Sequence, residues 1–252
     1  EGWSCRRQRL HHGVRVPLVI SLGRLNLGLG AALLALAATA WGLLALEAGG
    51  MAMAMDISAL AYLGIWVTML AAMMLPATAP LALAYARVVE SRGGGHLASL
   101  PFTAGYLLLW TAAGVVPLTV FIGSHGAIAG MAASSLGKLA LGGVLVVAGL
   151  YQLSPWKGAC LRGCRSPLGF VMTHDFATGA RGGLLAGARH GAFCLGCCWA
   201  LMAVLTVAGL MSLPWMAALA ALILAEKNWR HGEGLAMVAG LGMLIGGILV
   251  VM

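Results

Sequence analysis

The stretch SALAYLGIWVTMLAAMMLPATAPLALAYA, residues 58–86, runs for 29 residues without a charged side chain. A helix rises about 1.5 Å per residue, so about 20 apolar residues cross the roughly 30 Å hydrocarbon core of a bilayer. This run is long enough to span a membrane. It does not alternate polar with apolar, as the strands of a transmembrane barrel do. Comparable runs occupy residues 25–46, 100–122, 136–154, 185–211 and 234–252. With 61% of residues hydrophobic and only 9% charged, the chain belongs to the membrane class. The 37 glycines suit it, because small residues let helix backbones approach where lipid supplies no hydrophobic drive. The expected fold is all-α, a polytopic transmembrane helix bundle.

A weaker run, Leu213 to Ala225, is about 20 Å long as a helix and short of the hydrocarbon core. Snorkelling side chains such as Lys227 and Trp229 extend it to the interface. Counted as a span it brings the number to seven, and every basic residue except Lys138 then lies on one side. The positive-inside rule prefers this count and places the N-terminus in the cytoplasm. The organisation expected is a basic N-terminal segment, 1–24, followed by one transmembrane helical domain, 25–252. Residues 155–184 form its longest loop, on the cytoplasmic side and bearing cysteines. The basic segment before an apolar run reads as leading into a retained first helix rather than an export signal. The net charge of +8 follows from membrane topology, with no nucleic-acid partner implied.

Five of the six cysteines fall between residues 160 and 198. Cys160 and Cys164 lie among Lys157, Arg162 and Arg165, whose charges favour the metal-binding thiolate. In a cytoplasmic loop, free or metal-bound thiolate is expected over a permanent disulfide. The second group, His190-x3-Cys194-x2-Cys197-Cys198, is spaced by three and four, which gathers the side chains on one face of a membrane helix. Packing alone accommodates cysteine as a small hydrophobe. An imidazole at membrane depth is costly unless paired, wet or ligated, and this points to a metal or redox role.

Methionine supplies a third set, on the opposite membrane side. Met51, Met53 and Met55 precede the second span, and Met69 and Met73 share a face within it. Thioethers select Cu(I) over harder ions, although methionine is also an adaptable packing residue. The Met69-x3-Met73 spacing resembles the stripe of eukaryotic high-affinity copper transporters. Pro76 and Pro80 free backbone carbonyls in the same helix and predict a bend beside the methionines. Glu226 and Lys227 read as a local charge pair at the interface.

Several segments resemble those of a bacterial family of integral membrane proteins regarded as metal-binding and sometimes labelled copper chaperones. They are Met73-Met-Leu-Pro76, Tyr151-Gln-Leu-Ser-Pro-Trp-Lys157, Cys160-Leu-Arg-Gly-Cys-Arg-Ser-Pro-Leu168, Arg189 to Met202, and Glu226-Lys227. The resemblance covers most of residues 60–230 and implies a multi-pass protein of the bacterial cytoplasmic (inner) membrane that handles a metal.

The leading expectation is therefore an integral membrane metal-binding protein. Its cargo is Cu(I), with zinc as the other candidate, and its ligands come from Cys160, Cys164, His190, Cys194, Cys197, Cys198, Met51, Met53, Met55, Met69 and Met73. Transport, delivery and chaperoning are variants of that mechanism. An accessory subunit of a larger membrane metalloenzyme complex is the alternative, with partner subunits covering its apolar faces. A membrane thiol-disulfide carrier is the weaker alternative. Beyond the bilayer and the metal ion, no partner is specified. Nothing points to an enzyme: the chain has no nucleotide-binding loop, no Ser/His/Asp arrangement, and only seven acidic residues.

Overall fold

Prolines and glycines mark where the helices begin, break and touch. The computed structural model describes residues 24–51, 58–91, 99–123, 135–165, 179–209 and 212–252. Among these residues there are nine helices and no strand: α1 (Arg24–Met51), α2 (Ala59–Ser91), α3 (Ser99–Ala113), α4 (Val115–Gly123), α5 (Ser135–Gln152), α6 (Pro155–Arg165), α7 (Ala180–Gly209), α8 (Leu213–Asn228) and α9 (Gly232–Val251). The fold is all-helical, as expected from the sequence. Six stretches are long and apolar enough to cross a membrane: Gly28–Leu46, Ala59–Ser91, Ser99–Val120, Ser135–Gln152, Ala180–Val207 and Gly232–Val251. The seventh run became α8, which at 16 residues is not among them. Large apolar side chains such as Leu108, Val116, Ile245 and Leu249 face outward. That pattern suits lipid better than water.

Two prolines stand inside α2, which stays helical through both. Pro76 cannot donate to the carbonyl of Ala72, four residues earlier. The indole Nε1 of Trp41 on α1 donates to that oxygen instead, at 3.2 Å. The α3–α4 boundary has a similar origin. Pro117 lacks the N–H that would reach Ala113, and the helix breaks at Gly114. A Cβ on Gly114 would lie 2.3 Å from Trp66 Nε1, and that indole donates across to Trp110 O at 3.1 Å.

Glycines set the closest helix contacts. Gly183, Gly187 and Gly191 recur every four residues along α7 and meet α3, where a Cβ on Gly187 would fall 1.8 Å from Phe102 O. From the facing helix, a Cβ on Gly105 would fall 2.0 Å from Leu184 O. The α5–α9 pair repeats the device: a Cβ on Gly149 would lie 2.7 Å from Gly240 O, and one on Gly142 2.8 Å from Gly247 O. Backbones this close are the membrane form of helix packing through small residues.

One expectation is corrected here. The loop assigned to residues 155–184 begins with a helix, α6, buried on one side through Lys157, Cys160, Leu161 and Cys164. Ser154 caps its first turn by accepting a hydrogen bond from Lys157 N at 3.2 Å, and Pro155 occupies the first helical position. Both are preferred helix starts. At the other end, Arg165 Nη2 donates to the carbonyls of Trp229 (2.5 Å) and Arg230 (3.2 Å), tying α6 to the α8–α9 turn.

Candidate metal centre

Helix α7 carries Cys194, Cys197 and Cys198 at positions i, i+3 and i+4, so their side chains share one face. Their sulfurs lie within 4.8 Å of one another, and none of the three residues is more than 1% exposed. Cys197 Sγ and Cys198 Sγ are 3.2 Å apart. Helix α6 brings a fourth free thiol: Cys164 Sγ lies 3.6 Å from Cys197 Sγ. The loop pair and the membrane face read from the sequence are thus partly one site.

Two polar groups from other helices close on Cys194. Lys227 Nζ, from the last turn of α8, donates to Cys194 Sγ at 2.9 Å. Tyr106 Oη, from α3, lies 3.1 Å from the same sulfur. An ammonium and a phenol around one sulfur suit its anionic form, which accepts both hydrogen bonds.

Glu226, beside Lys227 in the chain, turns elsewhere. Its Oε2 pairs with Lys157 Nζ at 2.7 Å and its Oε1 accepts from Gln152 Nε2 at 2.8 Å, with both charged side chains 1% exposed. The reading of Glu226 and Lys227 as a local interface pair is therefore corrected. Consecutive helical residues point about 100° apart, so neighbours in sequence serve different partners. Nearby, Tyr151 donates to Gly196 O, capping the site from α5.

The remaining candidates are placed as follows. Cys160 is buried one turn before Cys164, in the same apolar core as the α7 cysteines. His190 is buried one turn before Cys194, its ring stacked on Tyr106 and Phe102 at centroid distances of 5.8 and 6.1 Å. It stands outside the 4.8 Å cluster formed by Cys194, Cys197 and Cys198. Met69 and Met73 are buried in the same apolar core as these cysteines. Met51 is the last residue of α1, and Met53 and Met55 lie outside the described residues. Sequence reasoning missed Tyr106, Gln152 and the role of Lys227, and it assigned Lys157 to the thiols of Cys160 and Cys164 where the structure pairs it with Glu226. The available signal was a basic residue at the end of a short apolar helix, together with the Ser154-Pro155 helix start.

The donor set suits a soft ion. Thiolates bind at about 2.3 Å, so two sulfurs on one metal stand no more than about 4.6 Å apart. The observed separations of 3.2 and 3.6 Å lie inside that limit. Outside the spans, the Cys164 thiol is held well above its ordinary value, first by its interaction with Cys194 and then by burial, with Cys197 and Lys227 opposing. A metal ion held there would displace a proton.

No curated protein and no solved structure matches the chain. Residues 63–250, which carry Cys164, Cys194, Cys197, Cys198 and Lys227, match the family model PpoB2, described as copper chaperone. The chain belongs to that copper chaperone family.

Proposed function

We propose that this chain is a multi-pass protein of the bacterial cytoplasmic membrane that holds Cu(I) between two thiolates drawn from Cys164, Cys194, Cys197 and Cys198 and passes it to an acceptor. The observation that carries the reading is the buried group of three α7 cysteines, which Cys164 joins through Cys197 and Lys227 through Cys194. Soft thiolates select Cu(I) among ions of similar charge, and the family description agrees with copper as cargo. The charge distribution supports a seven-span topology with the N-terminus inside, α8 completing the bundle against α2, α7 and α9. Cys164 sits on a short helix outside the long spans, which makes it the thiol through which an ion enters or leaves. Thiolate ligands exchange a soft ion by sharing it with incoming sulfur, so the protein binds and transfers and is not an enzyme. Met69 and Met73 extend the soft lining into α2.

The test is the metal content of purified full-length protein after loading with copper and zinc together. Stoichiometric copper in the wild type, lost in Cys194→Ser/Cys198→Ser, is the expected outcome. Equal copper and zinc content in the two proteins would sink the reading.

A further inference from the structure

The charges buried around the sulfurs do not cancel until a thiolate is counted. Lys157 and Glu226 neutralise each other at 2.7 Å, and Gln152 takes the second carboxylate oxygen. Lys227 is left with one positive charge, and its Nζ donates to Cys194 Sγ at 2.9 Å. Lys227 lies in the last turn of its helix, and Tyr106 Oη lies 3.1 Å from the same sulfur. Uncompensated charge in an apolar interior is costly, so the net charge of the loaded site decides which ion is held well.

We infer that Lys227 is the specificity-determining residue of this site, making the dithiolate complex of a monovalent soft cation the neutral one. The inference rests on the copper-binding reading above. Two thiolates carry −2, Cu(I) carries +1 and Lys227 carries +1, for a sum of zero. With a divalent ion on the same two thiolates the sum is +1. On four thiolates, the arrangement structural zinc prefers, it is −1. A divalent ion becomes neutral beside Lys227 only by drawing a third thiolate from the cluster, at the cost of a further deprotonation. Removing the lysine charge reverses the rule, because two thiolates and a divalent ion then sum to zero.

The experiment measures Cu(I) and Zn(II) affinities of the full chain in detergent by competition with chromophoric chelators. Wild type is compared with Lys227→Met and Lys227→Arg. Lys227→Met is expected to lose about a hundredfold or more in Cu(I) affinity, the scale expected when a buried pair loses one partner, while Zn(II) affinity holds or rises. Lys227→Arg keeps the wild-type preference. Lys227→Gln carries the same comparison if Lys227→Met does not survive purification. An unchanged Cu(I) to Zn(II) ratio in the neutral variants would overturn the inference, as would equal losses in Lys227→Arg and Lys227→Met. A wild type that binds neither ion, or a Cys194→Ser/Cys198→Ser protein that binds both, overturns the copper-site reading itself.

Discussion

Cys164 Sγ and Cys197 Sγ lie 3.6 Å apart although 33 residues separate them, one at the end of a short capped helix and the other within a long apolar one. The contact joins α6 to α7. It converts a helical cysteine face into a site with a ligand from a second element.

If those two sulfurs share one ion, their substitutions are not independent. Cys164→Ser and Cys197→Ser should each weaken Cu(I) binding at least about tenfold, and the double variant should lose clearly less than the product of the two, as expected of ligands in contact. Chelator competition on the four proteins closes the cycle. Simple multiplication of the two losses would place the residues in separate sites.

Copper binding should strengthen as pH rises. The Cys164 thiol lies well above its ordinary value, so in the metal-free protein it keeps its proton at neutral pH. The ion must displace that proton, and acid therefore competes with copper. Affinity measured at stepped pH should fall toward acid, with a shallower slope in Cys164→Ser. Equal slopes would mean that Cys164 does not give up a proton to the ion.

The α3–α7 contact sets where Tyr106 meets Cys194. In Gly187→Ala the new methyl group would fall 1.8 Å from Phe102 O, a backbone atom that cannot swing aside. The expected cost is about 1–3 kcal/mol or more from overpacking, read as a lower midpoint of thermal unfolding in detergent. Gly143→Ala, with nothing within 4 Å of the added atom, serves as the neutral comparison. A Gly187→Ala protein as stable as wild type would show that the two helices are not held this closely.

The buried Lys157–Glu226 pair should behave asymmetrically. Lys157→Met leaves the Glu226 carboxylate without its cation and should destabilise the protein by about 3–5 kcal/mol, whereas Lys157→Met/Glu226→Gln should recover much of that loss. Thermal unfolding of the three proteins gives the coupling. A double variant no more stable than Lys157→Met would show that the two charges do not depend on each other.

Much of the fold was legible in the chain because membrane spans are written locally. Residues 58–86 and the other long runs needed only length and the absence of charge. The face shared by Cys194, Cys197 and Cys198 needed only the helical period. Helix α6 was equally local, since Ser154 and Pro155 are start signals, but the density of charge and cysteine after them reads first as a loop.

What the sequence by itself determined is the all-helical architecture, with helices long and apolar enough to cross a membrane, and the sulfur-rich face of α7, both consequences of nearest-neighbour periodicity and hydrophobicity. Only the tertiary structure decided which groups meet there. Adjacent Glu226 and Lys227 go to Lys157 and to Cys194, and Cys164 reaches Cys197 from a second helix. The physical reason is that a helix fixes the direction of its own side chains but not what stands opposite them. That is set by how closely glycine-lined backbones such as α3 and α7 approach. It is also set by the pairing that buried charges require, and neither is encoded in any single stretch of the chain.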